Sequence, residues 1–352
     1  MPLWGLPMCV RCLRHRHWQC QLLLLGLGGT VVVPALILTG LFEEFLSFSV
    51  APFLRGGSSS IHLNWRFSGD LYHIANGGAC HSPVPPFLLN FVVSSPSNFE
   101  ARQVIRQTWG STRELDGLRI LTLFALGQPQ AVAVQAQLDQ EFTEHRDLVQ
   151  GTFRDTYRNL TLKTLMLLRW ASTFCPEAHF LLKVDDDVFV NTKRLVGHLR
   201  ALGNLRPRGI YLGRIHWNVR PIRDPSSQHY TAEAEFPGDS FPLYCSGTSY
   251  VVSGDVARQV AAVAVETPTV ALEDVYVGIC ARKVGVAPQH SAWFSGSTHY
   301  PLDTCCYQHI FTSHRMTPTL MKRAWGLLAP GKESGCSWLL PRLELLRCRL
   351  IS

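Results

Sequence analysis

The sequence predicts an α/β domain with a mixed, mostly parallel central sheet, preceded by one N-terminal transmembrane helix. Three observations predict it. From Phe87 onward, apolar runs of strand length alternate with stretches of helical length, the pattern of strand–helix–strand units. The run from Trp18 to Phe42 holds no charged residue. Finally, the apolar run His179 to Val184 ends in the carboxylates Asp185, Asp186 and Asp187, which marks the carboxyl end of a buried strand.

At 352 residues the chain has ample length for a large core. Its net charge of +7 is modest, and no long basic block or zinc-finger spacing occurs, so nucleic acid is excluded as the expected partner. Arginines placed near a nucleotide diphosphate are a simpler use of that charge. No internal repeat is present.

The uncharged run is long enough to span a hydrocarbon core of ~30 Å at about 1.5 Å per residue. Arg11, Arg14 and Arg16 precede it, and Glu43 and Glu44 follow it. Positive charge stays on the cytosolic side, so the bulk of the chain is expected in a lumen. A cleaved signal peptide is the competing reading, and the lack of a clear small-residue cleavage site favours a retained anchor. The expected organisation is a cytosolic tail over 1–17, a signal-anchor over 18–42, a luminal stem over 43–84 and a catalytic domain over 85–352. Cys9, Cys12 and Cys20 lie beside the anchor, where acylation occurs. The eight later cysteines suit an oxidising lumen, and most should form disulfides whose pairing the sequence leaves open. Asn159-Leu160-Thr161 is an N-glycosylation sequon, meaningful if that topology holds.

In chain order, Phe87 to Val93 reads as a strand. A helix from Asn98 to Trp109 follows and places Arg102 and Arg106 on one face. That face is either solvated or aimed at diphosphate oxygens, because the turn after a first strand is where α/β folds bind nucleotides. Leu118 to Leu126 is the next strand, Ala131 to Arg146 a helix, Leu148 to Phe153 a short strand and Asn159 to Phe174 a helix. After the aspartate strand come a helix over Thr192 to Leu202 and a strand over Ile210 to Trp217. Residues 218–243, rich in Pro, Asp, Ser and Tyr, read as a loop over the site. Tyr244 to Tyr250 then leads into a strand at Val251 and Val252, and Gly254 to Glu266 into a helix. Glu273 and Asp274 open another helix, where acids also serve as ordinary dipole partners.

Three adjacent acids repel one another and resist desolvation. A solvated turn is one reading. A divalent cation is the other, since oxygen ligation suits hard ions that keep positions open for substrate phosphate. Sites of open α/β sheets lie beyond the carboxyl ends of strands, where these aspartates sit.

Six segments in fixed order carry a resemblance. They are Arg102 to Gly110, Tyr157 to Thr164, Asp185 to Asn191, Tyr211-Leu212-Gly213, Tyr244 to Tyr250 and Glu273 to Gly278. Together they resemble the β1,3-glycosyltransferases of glycosyltransferase family 31 over roughly Pro85 to Gly335. Gly213 to Trp217, Thr298 to Asp303, Cys305-Cys306-Tyr307 and the Cys336 to Arg349 tail look most like its β1,3-galactosyltransferases, in particular those that modify gangliosides. Cys245 and Cys280 look more like other galactosyltransferases of the family.

The resemblance implies a GT-A (Rossmann-like) glycosyltransferase fold, a UDP-galactose donor and Mn2+, with Mg2+ as the alternative ion. It implies inversion at the anomeric carbon and a β1,3 linkage to a terminal N-acetylgalactosamine of a glycolipid. It also implies a single-pass type II protein of the Golgi membrane with a luminal catalytic domain. Asp187, Asp185 and His314 are the expected metal ligands, and Asp186 is expected to face the ribose. Asp274 is the expected general base. Arg102, Arg106, Asp155, Lys163, Asp185 and Asp186 are candidate donor contacts. Tyr244, Gly247, Tyr250 and Glu273 are candidates for the acceptor or sugar pocket, as glycine and aromatic residues allow close approach and stacking on sugar faces. The alternatives are a β1,3-N-acetylglucosaminyltransferase on the same scaffold and a non-catalytic luminal chaperone or lectin.

Overall fold

The computed structural model describes residues 40–49, 71–202, 208–329, 336 and 341–350. Helix α1 (Leu41–Ser49) comes first, followed by strand β1 (Tyr72–Ile74) and strand β2 (Leu88–Val93). Next are α2 (Phe99–Gln107), the short β3 (Glu114–Leu115), the long β4 (Leu118–Gln128), α3 (Val132–His145) and β5 (Leu148–Arg154). The middle of the chain gives α4 (Leu160–Phe174), β6 (Phe180–Asp185), β7 (Phe189–Val190) and α5 (Thr192–Ala201). They lead into β8 (Tyr211–His216), β9 (Tyr244–Ser253), α6 (Gly254–Ala264), α7 (Glu273–Lys283) and β10 (Gln289–His290). Helix α8 (Thr304–His309), strand β11 (Thr312–Ser313), α9 (Pro318–Leu327) and α10 (Pro341–Leu350) complete the described chain.

The strands order as β1-β5-β4-β2-β6-β9-β8-β10, with β3 paired to β4. Strands β5, β4, β2 and β6 run parallel, as the alternating pattern predicts. Every residue of β2 is buried, because helices cover both faces and leave the strand no solvent side. Its one polar side chain, Asn90, donates to Thr122 Oγ1 at 3.1 Å across the sheet.

The sheet is mixed, as expected: those four strands form its parallel centre, and antiparallel pairing enters beside them. Strand β9 runs antiparallel to both β6 and β8. The reason lies in the connections. Helix α5 carries the chain over from β6 to β8, whereas no helix lies between β8 and β9, so the chain returns antiparallel. Strand β9 thereby slots in between β6 and β8 with its first residues beside the tip of β6. This reversal builds the site.

Two apolar cores flank the sheet. Trp109, Phe180, Leu195, Phe311 and Met321 belong to one, gathering α2, α5 and α9. Met166, Trp170, Val256, Val260 and Val277 belong to the other, under α4, α6 and α7. Local chemistry fixes where the helices start. Asn191 caps α5 by accepting from Arg194 N at 3.0 Å. Thr317 does the same for α9, which has Pro318 in its first turn.

Order begins earlier than residue 85. Strand β1 pairs antiparallel with β5, and a disulfide joins Cys80 to Cys175 at the end of α4. A strand of three residues is too short to carry a period in sequence. Two more disulfides, Cys305–Cys336 and Cys306–Cys348, fasten the C-terminal tail to α8, while Cys245 and Cys280 are free and buried. Residues 18–39 of the expected anchor lie outside the described residues, as does 50–70 of the expected stem. No helix among the described residues is long and apolar enough to cross a membrane. Residues 43–49, expected within a stem of little structure, form the greater part of α1, which packs against β10.

Candidate active site

Strand β6 delivers three consecutive carboxylates to its carboxyl end, and the structure gives each a different partner. Asp185, the last strand residue, receives Lys183 Nζ at 2.7 Å on Oδ1. Asp186 turns the other way, where its Oδ2 accepts from Ser94 Oγ at 2.7 Å and Asn98 Nδ2 at 2.9 Å. Asp187 faces His314, with 3.2 Å between Oδ2 and Nε2. Strand β11 pairs with β7 antiparallel, Ser313 opposite Phe189, and this pairing brings His314 to Asp187 across more than a hundred residues of chain.

Asp187 is 46% exposed and His314 18% exposed on their side chains. They present a carboxylate oxygen and an imidazole nitrogen to one open space, a donor set that divalent first-row ions accept. Burial opposes the charge on His314, but the hydrogen bond it donates to Asp187 and the fields of Asp187 and Asp185 raise its pKa above the ordinary value. Asp185 behaves differently. Burial outweighs Lys183 and pushes its carboxyl up to about 6. Lys183 already neutralises Asp185, whereas among the described residues Asp187 and His314 have only each other as ion-pair partners. No group of three or more His, Cys, Asp and Glu side chains that could hold a metal ion occurs among the described residues.

On the other side of Asp185 lies the acid pair that opens α7. Asp274 Oδ2 accepts from Gly247 N at 3.0 Å and Oδ1 from Val275 N at 2.9 Å. Glu273 Oε1 accepts from Tyr250 OH at 2.6 Å. A Cβ at 247 would lie 3.2 Å from Asp274 Oδ2 and from Glu273 Oε2, a tight contact to which the two carboxylates would have to yield, so glycine suits this position. The helix N-terminus predicts an easily ionised Asp274; the structure corrects this. Burial dominates and raises its pKa, although the two backbone N–H groups and Lys183 pull the other way. A carboxylate of raised pKa is the stronger base near neutral pH.

Lys183 was not singled out in the sequence and ties the two halves together. Its buried ammonium contacts Asp185, the Gly247 carbonyl and Glu273 Oε2, the last at 3.4 Å. A signal was available: a lone Lys inside an apolar strand, two residues before Asp185 and therefore on the same face. Tyr157 is the second omission. Its side chain is exposed, and its OH meets His229 Nδ1 at 2.8 Å. Partial desolvation and the charges of Asp274 and Asp185 raise its pKa. Arg158 pairs with Glu235 at 3.1 Å nearby. The 218–243 loop thus reaches the start of α4, next to the acids.

Other expected residues lie elsewhere. Arg102 is fully buried, and all five of its N–H donors are consumed by Glu141, Ser94 Oγ and the Ser95 and Pro96 carbonyls. Arg106 is held by Asp147 and Glu141. The pair orders the turn after β2 and leaves Arg102 no donor for a phosphate. Lys163 donates to Ser94 O at 2.8 Å and pairs with Asp155 at 2.7 Å, while Asp155 accepts from Gly127 N at 2.6 Å. These two link β4, β5 and α4 at the same edge of the sheet. Tyr244, stacked on His216, and Tyr250, edge-on to Tyr211, are buried beneath the site with Glu273. Asn159 is half-buried at the start of α4, its amide donating to Arg154 O at 2.9 Å, and Thr161 is buried against Val270 O.

A family model described as Galactosyltransferase matches residues 100–292, a span that holds the aspartate triplet, Gly247 and the acid pair of α7. The chain is 41% identical to Beta-1,3-galactosyltransferase 4 of Mus musculus, over 89% of this chain and 92% of that relative. It is also 41% identical to Beta-1,3-galactosyltransferase 9 of Homo sapiens, over 76% of this chain and 71% of that one. Among solved structures, a mannosyltransferase of Pyrobaculum calidifontis aligns loosely, at 12% identity and a TM-score of 0.34 over 73% of this chain and 65% of its own. The matched span and the extent of identity to these relatives establish that this chain belongs to the galactosyltransferase family.

Proposed function

We propose that the protein transfers galactose from UDP-galactose, with inversion, in β1,3 linkage to a terminal N-acetylgalactosamine of a glycolipid. The observation that carries this reading is the division of labour around the tip of β6. Asp187 and His314 offer a two-ligand cation site on one side, and half-buried Asp274 offers a base on the other, with Asp185 and Lys183 between.

Mn2+, or Mg2+ in its place, would be held by Asp187 and His314, and its chemistry is neutralisation of the charge that gathers on the leaving diphosphate. Two protein ligands leave coordination positions for phosphate oxygens. The chain's own residues supply the rest. Asp274 takes the proton from the acceptor 3-hydroxyl as that oxygen attacks the anomeric carbon. Gly247 N–H and Val275 N–H fix the carboxylate's orientation, so the receiving oxygen is pre-aimed. Ser94 and Asn98 hold Asp186 toward the turn after β2, a position suited to a ribose hydroxyl.

The relatives' printed names support β1,3-galactosyl transfer, and the uncharged run over 18–42 supports a type II Golgi membrane protein with this domain in the lumen. The test is Mn2+-dependent UDP release from UDP-galactose or UDP-N-acetylglucosamine, each with and without a lipid ending in N-acetylgalactosamine. Release from UDP-galactose that rises with that acceptor supports the reading. Preference for UDP-N-acetylglucosamine, or no release with either donor, overturns it.

A further inference from the structure

Helix α1 is docked the wrong way round. Soluble surface helices bury their apolar stripe and expose their polar one. Here the polar residues face the domain. Glu43 Oε2 lies 3.1 Å from His290 Nε2, and Glu43 Oε1 lies 3.6 Å from Arg214. Glu44 accepts from Arg342 on α10 and, at 3.2 Å, from Ala292 N. Ser47 Oγ accepts from His290 N at 3.1 Å and is itself buried. Gly40 enters the helix with φ +74, and a Cβ there would strike the Ala292 side chain at 2.3 Å.

The outward side is apolar. Leu41 and Phe42 are each 38% exposed and Phe45 is 65% exposed. Leu343, 53% exposed, stands on α10 beside the Arg342 that grips Glu44. Apolar side chains left exposed in this way are costly to leave in water. The chain itself indicates what covers it. The uncharged run that begins at Trp18 continues without a break into Leu41 and Phe42, the first two residues of α1. Both acids of the helix are neutralised by partners on the domain, so the outward face carries no unpaired negative charge against lipid headgroups.

We infer that α1, together with Leu343, lies on the surface of the lipid bilayer and seats the catalytic domain directly against the membrane. The inference rests on the reading of residues 18–42 as a membrane span. A helix with apolar side chains in the acyl boundary and its polar side turned away from lipid is the interfacial arrangement, and here the polar side is used to grip the enzyme. The consequence is functional: an acceptor embedded in the same bilayer is presented to a domain already resting on it.

The test uses the full chain in phosphatidylcholine nanodiscs, with Phe45 replaced by photoreactive benzoylphenylalanine. The control places the same group at Val132, exposed on α3 at the side of the sheet away from β10. Irradiation followed by mass spectrometry should give phospholipid adducts at 45 and none at 132. No lipid adduct at 45, or crosslinks there to a second copy of the chain, would overturn the inference. A second arm pairs Phe45→Glu with Leu343→Glu. Transfer to the bilayer-borne acceptor should fall by about tenfold, equivalent to roughly 1.4 kcal/mol. Transfer to a water-soluble N-acetylgalactosamine glycoside and the thermal midpoint should both stay unchanged. Equal loss with both acceptors, or none with either, would count against the seating. A wild-type chain that gives lipid adducts at 45 and transfers no galactose would refute the proposed function and leave the seating intact.

Discussion

Asp274 is the residue on which turnover should depend most steeply. Replacing it by Asn keeps the shape and removes the base, so kcat should fall by ~10²–10⁴ while UDP binding in the presence of Mn2+, read by calorimetry, stays near wild type. Parallel loss of binding and turnover would instead assign Asp274 to holding Gly247 and α7 together. The acid form of this group is inactive, and burial raises its pKa. Activity should therefore be full above the raised value and decline as pH falls through it, with the acidic limb of kcat/KM lying above the ordinary carboxylate range. Asp187→Ala removes the exposed oxygen opposite His314, and Mn2+ should then no longer strengthen UDP binding; an undiminished Mn2+ response would exclude Asp187 as a ligand. Asp187 is legible in the sequence from the aspartate run, and His314 joins it as a ligand only through the family resemblance. Lys183 shows in the sequence only as a lone lysine in an apolar strand; its value as an internal counter-ion depends on Glu273 and Gly247, which lie more than sixty residues away in the chain.

Helix α2 shows how an element can be recognised correctly while its role is missed. Spacing places Arg102 and Arg106 on one helix face, and they do share it. What the spacing does not contain is the direction of that face. In the folded chain it turns inward onto Glu141 of α3 and Asp147 before β5, with side chains at most 11% exposed. Burial opposes ionisation of Glu141, and the bonds from Arg102 and Arg106 override it, so its pKa is lowered. A lowered folded value gives stability that is complete above the unfolded carboxylate value and is lost as pH falls through the lower one. Glu141→Gln leaves two buried guanidiniums short of their partner. Urea unfolding at neutral pH should show about 3–5 kcal/mol less stability. The variant should also lose less further stability on acidification than wild type does. A variant as stable as wild type would show the network to be energetically idle.

At the scale of the whole molecule, two cores and, among the described residues, three disulfides tie distant parts of the chain together. The Cys80–Cys175 bridge spans 95 residues and ties the chain before β2 to the far end of α4. Closing so long a loop restrains the unfolded chain, so replacing both cysteines by Ser should cost about 2–5 kcal/mol in chemical unfolding. Turnover of the folded fraction should be untouched, since neither cysteine approaches the tip of β6.

By itself the sequence determined the principal strands and helices from Phe87 to the helix that Glu273 opens, the strand tip on which the acids sit, and the presence of the acid pair. Period and composition are local properties, and each of these features is written in one stretch of chain. Tertiary structure decided the rest: that β9 returns antiparallel, that three neighbouring aspartates take three different partners, that the arginines of α2 turn inward, and that α1 grips the domain by its acids. All four depend on groups brought together from distant parts of the chain, and burial then sets the charge each acid carries.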